Sequence, residues 1–282
     1  MEKINVAGVT LQGFAQGGIQ TSIHCPEVRA VFDTGCILPG VNVDHFFITH
    51  GHPDHIGALP AIAAKRSVGS RKSNMQIHCP KVIAAQVETA LSTMADLYGD
   101  RAENRMFHVH GVEPGEAIQL RGGFAVRGVQ TTHRTDSIGW AVEQTVSKLK
   151  AEFVGMEGAE IGRLKREGTQ ITDNVMSTML CIPGDTQIEF LLEQEQARKA
   201  KVLVHEVTVW EEDEINLDGC RRYGHTHISE MVKHCEKFEG EALVLCHRSM
   251  RWTRAHIEEM AKRRFPASML PKIHFFDGGD RQ

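Results

Sequence analysis

The sequence predicts an α/β fold, in which strand-like and helix-like segments alternate along a chain of 282 residues. Short apolar or alternating runs that stop at Gly or at polar residues are typical of strands, and they recur along most of the chain. Several of them are followed by segments with apolar residues at helical spacing. The length permits one large domain or two small ones. Because no linker or internal repeat interrupts the pattern, we predict a single domain over 1–282.

The predicted strands are short, and most of them have the composition of buried strands. Residues 28–33 alternate and are followed by a Thr-Gly pair, which is a typical strand ending. Residues 45–50 form an apolar run that ends in a histidine. The remaining predicted strands are two within 117–133 around Gly122-Gly123, and then 138–142, 177–182, 201–209, 241–246 and 272–276.

Helices are predicted where apolar residues recur every three or four positions. The first covers 80–99 and ends at Gly99, a residue type that often terminates helices. The others span 188–199, 229–238 and 253–264. The segment 147–174 is polar and contains several glycines among charged residues. Two interpretations of that segment stay open: an excursion or lid over a site, or a solvated connection.

Composition excludes several classes of protein. Hydrophobic residues at 41% and charged residues at 24% are ordinary for a soluble globular protein. No run approaches the roughly 18 apolar residues of a membrane span, and the N-terminus does not resemble a signal peptide. A pI near 6.5 argues against a generic nucleic-acid coat. The seven cysteines include no Cys-x-x-Cys pair, so we expect reduced thiols and a cytoplasmic location. The 16 histidines favour metal binding.

The strongest chemical signal is the run His50-Gly51-His52-Pro53-Asp54-His55, directly after a predicted strand. Four residues of metal-ligand type fall within six positions, and a loop at a strand end lets their side chains converge. We predict that His50 and His52 bind one ion while Asp54 and His55 bind a second. A histidine-rich surface loop is the alternative, but ligand residues at this density rarely serve solubility.

The run resembles the His-x-His-x-Asp-His signature of the metallo-β-lactamase superfamily. That resemblance implies an αβ/βα sandwich fold with a metal centre at one edge, where loops from both halves meet. It also implies three further ligands, each at the end of a predicted strand: His133, Asp185 as the residue that bridges two metals, and His247. The predicted ligand set is then His50, His52, Asp54, His55, His133, Asp185 and His247.

Within that superfamily the chain is most similar to the ribonuclease Z group, the endonucleases that trim the 3′ end of precursor tRNA. Three segments carry this resemblance: His205-Glu206-Val207-Thr208, Gly224-His225-Thr226, and His247-Arg248-Ser249-Met250-Arg251-Trp252. In that group the matching Glu orients a His, and the pair protonates the leaving oxygen. The resemblance implies catalytic roles for Asp54, Glu206 and His225. We also predict substrate binding by Ser249 and Arg251, since arginine binds phosphate well beside a metal ligand.

The predicted chemistry is hydrolysis of a phosphodiester by a metal-activated hydroxide. Two close cations neutralise the transition state and lower the pKa of water from 15.7 to roughly 7. Asp54 would hold and deprotonate that water, and a histidine paired with a carboxylate would protonate the leaving alkoxide. We expect two zinc ions, although Mn and Fe accept the same ligands. The expected partner is precursor tRNA or a smaller phosphodiester, with no membrane involved and a homodimer as the family expectation.

Two other interpretations stay open at this point. The same fold and metals could serve a small substrate, such as a cyclic nucleotide, a cyclic phosphate or a lactone. The near-neutral pI favours this, as does the lack of a clear counterpart to the long basic arm with which the ribonuclease Z group grips tRNA. A non-catalytic metal-binding member is the remaining alternative, and the complete set of candidate ligands argues against it.

Overall fold

The computed structural model of the chain describes residues 1–68, 73–99, 105–211 and 215–279. The strands are β1 Glu2–Val6, β2 Val9–Gly17, β3 Gln20–Cys25, β4 Ala30–Phe32, β5 His45–Phe47, β6 Met75–Pro80, β7 Phe107–Val112, β8 Ala117–Gln119, β9 Phe124–Gln130, β10 Ile138–Leu149, β11 Thr172–Ile182, β12 Val202–Glu206, β13 Ala242–Cys246, β14 Arg248–Ser249 and β15 Ile273–Phe275. The helices are α1 Pro53–Ile56, α2 Leu59–Val68, α3 Ala84–Leu97, α4 Gly158–Arg166, α5 Glu189–Glu193, α6 Glu195–Lys199, α7 Leu217–Arg222, α8 Ile228–His234 and α9 Arg254–Arg264.

The strands form two sheets of similar design. In the first sheet the order is β1 to β7, with β14 added beside β2. In the second sheet the order is β15-β13-β12-β11-β10-β9-β8. In chain order, neighbouring strands of each sheet first pair antiparallel and then parallel. The change comes at β4–β5 in the first sheet and at β11–β12 in the second. Parallel strands need crossover connections, so the helices lie in the chain beside these parallel halves.

Three layers of buried apolar side chains hold this architecture together. One layer lies between the two sheets and contains Phe47 and Trp140, whose ring centroids are 5.1 Å apart. A second packs α2 and α3 on the outer face of the first sheet, and a third packs α5, α6, α8 and α9 on the second. Strand β12 begins with three apolar residues because both of its faces are buried: Val202 and Val204 face the other sheet while Leu203 faces the helices. The predicted αβ/βα sandwich is confirmed.

Most predicted strands are confirmed, but two predicted helices have the wrong bounds. The helix predicted over 80–99 starts only at Ala84, because Pro80 ends β6 and residues 81–83 form a 3₁₀ turn. The helix predicted over 188–199 is two short helices, broken at Gln194, whose extended ψ of 119° interrupts the helical hydrogen bonds. The N-terminal strands β1 to β3 were not predicted, and neither were β6 and β7.

The segment 147–174 belongs to a hairpin that we call the arm, residues 144–179. Strands β10 and β11 pair from Trp140 and Ile182 out to Leu149 and Thr172, and α4 lies between their far ends. No residue of the arm is buried. The segment is therefore an excursion with regular structure, and whether it acts as a lid stays untested. In the described part of the chain, no helix is long and apolar enough to span a bilayer.

Candidate metal centre

The predicted ligands meet at one edge of the sandwich because the strands that precede them end there. His50 follows β5 in the first sheet, while His133, Asp185 and His247 follow β9, β11 and β13 in the second. Strand β9 is antiparallel to β10, and β10 is antiparallel to β11, so β9 and β11 end at the same edge. The topology thus brings together residues that lie far apart in the sequence.

One candidate ligand group consists of His50, His52, His133 and Asp185, with ligand atoms all within 4.8 Å of one another. Nδ1 of His52 lies 2.9 Å from Nε2 of His50 and 3.5 Å from Nε2 of His133. Nε2 of His50 is 3.7 Å from Oδ2 of Asp185. Three ring nitrogens and a carboxylate oxygen therefore converge on one point.

A second group consists of Asp54, His55 and His247. Nε2 of His55 lies 3.2 Å from Nε2 of His247, and each of these nitrogens is 3.2 Å from Oδ1 of Asp185. Oδ2 of Asp54 is 3.6 Å from His55 and 3.5 Å from His247. Since Oδ2 of Asp185 faces the first group and Oδ1 faces the second, this carboxylate joins the two groups as the resemblance implied.

The arrangement of these side chains fits a metal centre. Oδ1 of Asp185 is buried and accepts no well-aligned hydrogen bond from the described residues, although Nε2 of His55 and Nε2 of His247 each lie 3.2 Å from it. Leaving a buried carboxylate oxygen unpaired is costly, and so is directing the ring nitrogens of several histidines at each other. Cations at these points would satisfy all of these atoms, and zinc commonly takes histidine and aspartate ligands. The site therefore suits metal binding.

The outward nitrogens of the ligand rings are held by the protein. Nδ1 of His55 lies 2.7 Å from Oδ2 of Asp33, and Nδ1 of His133 lies 2.9 Å from the carbonyl of Gly224. Thr49 Oγ1 contacts Nδ1 of His50 at 3.0 Å, and Thr208 Oγ1 contacts Nδ1 of His247 at 3.0 Å. Such contacts fix the ring orientation and leave Nε2 facing the metal.

Asp33, Thr49 and Thr208 are the functional residues that sequence reasoning missed. The carboxylate of Asp33 accepts from the N–H of Thr49 and from His55, and its two oxygens share the hydroxyl of Thr49. The available signals were weak: Asp33 ends a predicted strand, Thr49 precedes the first ligand, and Thr208 follows Glu206 by two positions. None of these positions specifies a contact without the fold.

Two residues of the site have unusual backbone angles. Asp33 has φ of 57° and His247 has φ of 58°, in the left-handed region that non-glycine residues seldom adopt. Each costs of the order of 1–3 kcal/mol, and such conformations persist where the surrounding structure determines them. Here the carboxylate of Asp33 is fixed by Thr49 and His55, and the N–H of His247 donates to Ala15 O at 2.9 Å.

The electrostatics of the centre keep its carboxylate charged and several of its histidines neutral. Burial lowers the pKa of His50, His52 and His133, which favours the neutral imidazole that binds metal. Burial by itself would raise the pKa of Asp185, but the neighbouring His247 and His55 lower it well below its usual range. The carboxylate is therefore ionised, as a metal ligand must be.

Glu206 and His225 form a hydrogen-bonded pair beside the two ligand groups, as predicted. Oε1 of Glu206 lies 2.8 Å from Nδ1 of His225, and it also accepts from the N–H of Thr186 at 3.0 Å. Thr208 Oγ1 donates to Oε2 at 2.6 Å, so this buried carboxylate is well satisfied. Burial lowers the pKa of His225, but the charge and hydrogen bond of Glu206 outweigh it and raise the pKa to about 9. The Glu206 carboxylate therefore favours the protonated form of His225.

His225 also lies close to Asp185 and His247, and these three form a further candidate ligand group. Its Nδ1 is engaged by Glu206 at 2.8 Å and is 3.9 Å from Asp185. Because Nδ1 has this better partner, we keep His225 outside the metal ligands.

Ser249 and Arg251 lie just beyond the ligand His247. The N–H of Ser249 donates to the carbonyl of Thr208 at 3.2 Å, so Ser249 is next to the residue that supports His247. Its hydroxyl accepts from the N–H of Arg251 at 3.4 Å, and the Arg251 side chain is exposed. Substrate binding by both residues stays a prediction.

Comparison with known proteins agrees with this geometry. A family model described as "Anti-Pycsar protein Apyc1" matches residues 29–265. The tRNase Z TRZ1 of Arabidopsis thaliana is 35% identical over 267 residues, which cover 92% of this chain and 93% of that relative.

Solved structures show the same fold at low sequence identity. The metallo-beta-lactamase fold protein YhfI of Bacillus subtilis has a TM-score of 0.62 at 14% identity, covering 98% of this chain and 97% of its own. Human tRNase Z, short form, has a TM-score of 0.60 at 16% identity, covering 95% of this chain and 96% of its own. The chain is therefore a metal-dependent hydrolase of the metallo-β-lactamase fold, and it belongs both to the family that the Anti-Pycsar protein Apyc1 model describes and to the tRNase Z (ribonuclease Z) family.

Proposed function

We propose that this protein is an endoribonuclease that removes the 3′ extension of precursor tRNA with two zinc ions. The observation that carries the proposal is the Glu206–His225 pair, hydrogen-bonded at 2.8 Å and adjacent to two ligand groups that share Asp185. An RNA phosphodiester has a poor alkoxide leaving group, which needs both charge neutralisation and a proton. This site offers the groups for both.

Each residue has a distinct task in this proposal. The bound cations would neutralise the charge on the phosphate and lower the pKa of the attacking water. The carboxylate of Asp54, whose Oδ2 accepts from the N–H of Gly18 at 2.9 Å, would orient that water and take up its proton. Nε2 of His225 donates a proton to the leaving oxygen, and Glu206 stabilises the imidazolium and holds its orientation.

The substrate class is supported by the relatives and by the shape of the molecule. The Arabidopsis relative, which matches over 92% of this chain, is named a tRNase Z. No residue of the arm is buried, and the end of α4 carries Lys165 and Arg166, which suit contact with the body of an RNA. Arg163 of the same turn is ion-paired with Glu167. A homodimer and a cytoplasmic location belong to the same proposal. The seven free cysteines support the latter.

A small phosphodiester is the second candidate substrate. One observation favours it: the groove beside His133 carries two cations, Lys81 and Arg134, and two anions, Glu113 and Asp136. This balance gives the mouth of the site no strong net positive charge, whereas RNA-binding surfaces are usually basic.

A single activity panel distinguishes the two candidates. The zinc-loaded protein is assayed with precursor tRNA, a cyclic nucleotide, a lactone and bis(p-nitrophenyl) phosphate, with Asp54→Ala as the inactive control. We expect cleavage of precursor tRNA at its 3′ side, two zinc ions per chain by elemental analysis, and loss of all turnover in Asp54→Ala with an unchanged melting temperature. Cleavage of the cyclic nucleotide or lactone in preference to the tRNA would refute the proposal.

A further inference from the structure

Arg134 and Tyr223 form a pair at the mouth of the metal centre that no role described above uses. The guanidinium carbon of Arg134 lies 5.8 Å from the centre of the Tyr223 ring, in a cation–π arrangement. Both side chains are exposed, the tyrosine at 48% of its surface. Among the described residues no carboxylate lies within ion-pair distance of Arg134, so its charge is available to a ligand.

The pair is fixed to the catalytic residues by backbone contacts. Arg134 directly follows the ligand His133, and Tyr223 lies two positions before the proton donor His225. The two loops meet at Gly224, whose carbonyl holds Nδ1 of His133 at 2.9 Å. A Cβ at Gly224, which has φ of 83°, would lie 2.6 Å from the N of Arg134. Close backbone packing therefore fixes the loop of Arg134 against the loop that carries Tyr223 and His225.

Arg134 also contacts the candidate metal ligands directly. Its Nη2 donates to Nε2 of His52 at 3.4 Å, while Nδ1 of His52 faces the other ligand nitrogens. The guanidinium therefore lies beside the ligand cluster, where it can bind a phosphate next to the scissile one.

We infer that Arg134 and Tyr223 bind the nucleotide that carries the leaving oxygen. Arg134 binds the phosphate next to the scissile phosphate, and Tyr223 stacks on the base of that nucleotide. Arginine recognises phosphate through paired N–H donors, and tyrosine stacks on unpaired bases. The leaving-oxygen side follows because Tyr223 and the proton donor His225 share one short loop. The adjoining groove beside His133 has a volume of about 770 Å³, within the range of ligand sites. This inference rests on the proposed function, since it assigns a subsite to an RNA substrate.

The first experiment compares Arg134→Ala with Arg222→Ala, the exposed arginine that ends α7 beside Tyr223. Binding of a fluorescent single-stranded oligoribonucleotide to zinc-loaded protein is measured by anisotropy over a range of salt concentrations. We expect Arg134→Ala to weaken binding about ten- to hundredfold and to lower the salt slope by about 0.7, as for one lost phosphate contact. Arg222→Ala should match the wild type. An unchanged salt slope in Arg134→Ala, or no binding by the wild type, would overturn the inference.

The second experiment separates stacking from structure. Tyr223→Phe keeps an aromatic face and should bind like the wild type, whereas Tyr223→Ala should lose about tenfold in affinity. With an oligonucleotide that lacks the base at the bound position, Tyr223→Ala and Tyr223→Phe should become equal. If they differ as much on the abasic strand as on the intact one, Tyr223 does not stack on a base.

The outcomes distinguish this inference from the proposed function. If the wild type binds the oligonucleotide through Arg134 and Tyr223 but does not cleave precursor tRNA, the subsite stands and the proposed function fails. If the wild type cleaves precursor tRNA but Arg134→Ala lowers the turnover of RNA and of bis(p-nitrophenyl) phosphate by the same factor, the function stands and the inference fails. Zinc analysis of every variant shows whether an effect comes from disturbed His52.

Discussion

The metal centre and the arm are opposite in construction. At the centre His50, His55, Asp185 and His247 are buried, and their contacts join residues from both sheets. In the arm no residue between 144 and 179 is buried, and the hydrogen bonds described for 150–171 stay within the arm. One region is held by contacts between distant parts of the chain, and the other by the pairing of two adjacent strands.

This contrast indicates how each region responds to change. A buried polar network needs every partner, because an unsatisfied group there costs about 1–3 kcal/mol. Surface changes away from such features usually stay within about 0.5 kcal/mol. We therefore expect single substitutions at the centre to change chemistry or metal affinity. Removal of the outer part of the arm, residues 150–171, should change only the recognition of large substrates.

The largest expected effect is that of His225→Ala on RNA cleavage. Without its proton donor the alkoxide leaves poorly, and the rate should fall by roughly 10²–10⁴. A nitrophenolate leaves without a proton, so turnover of bis(p-nitrophenyl) phosphate should fall much less. The measurement is kcat for both substrates, with zinc content determined in parallel. Equal losses on both would mean that His225 acts through binding or structure.

The pH profile provides a control for the same residue. Glu206 raises the pKa of His225 to about 9, so the wild-type rate on RNA should fall as the pH rises through that value and the donor loses its proton. Glu206→Gln removes the charge that raises the pKa, and the fall should move to lower pH. If loss of metal accompanies His225→Ala, His225 is a metal ligand.

Asp33→Asn should have an intermediate effect, on metal affinity. The amide cannot replace the carboxylate that holds Nδ1 of His55 at 2.7 Å, so the orientation and basicity of this ligand suffer. Loss of such an outer contact typically costs about 10- to 100-fold in metal affinity. Competition with a chelator measures it, and Asp173→Asn on the exposed arm is the matched control. Unaltered affinity in Asp33→Asn would show that Thr49 and packing suffice to orient His55.

The smallest expected effect comes from removing most of the arm. Leu149 pairs with Thr172, so replacement of residues 150–171 by Asn-Gly leaves a two-residue hairpin turn. The KM for precursor tRNA should rise about tenfold, the equivalent of one charged contact. Turnover of bis(p-nitrophenyl) phosphate and the melting temperature should stay unchanged. A fall in small-substrate turnover would mean that the arm supports the metal centre after all.

The fold was predictable where local pattern and burial agree. Strands such as β12 and β13 are buried on both faces, so their apolar runs stand out in the sequence. Strands β1 to β3 mix polar with apolar residues, and β2 also contains two glycines, so their pattern was too weak to predict. The helix predicted over 188–199 is broken at Gln194, and a side-chain contact across the break, from Arg198 Nη1 to Leu192 O at 2.7 Å, stabilises it.

By itself the sequence determined the ligand run from His50 to His55, because metal chemistry requires particular residue types close together at a strand end. The resemblance to known families added His133, Asp185, His247 and the Glu206–His225 pair. Only the tertiary structure decided which atoms face the metals and what holds them. Asp33 supports His55, and Gly18 fixes Asp54, through contacts between parts of the chain that no local spacing relates. The juxtaposition of Arg134 and Tyr223 arose in the same way. Such contacts depend on how the two sheets pack, because burial forces polar groups to find partners wherever the fold places them.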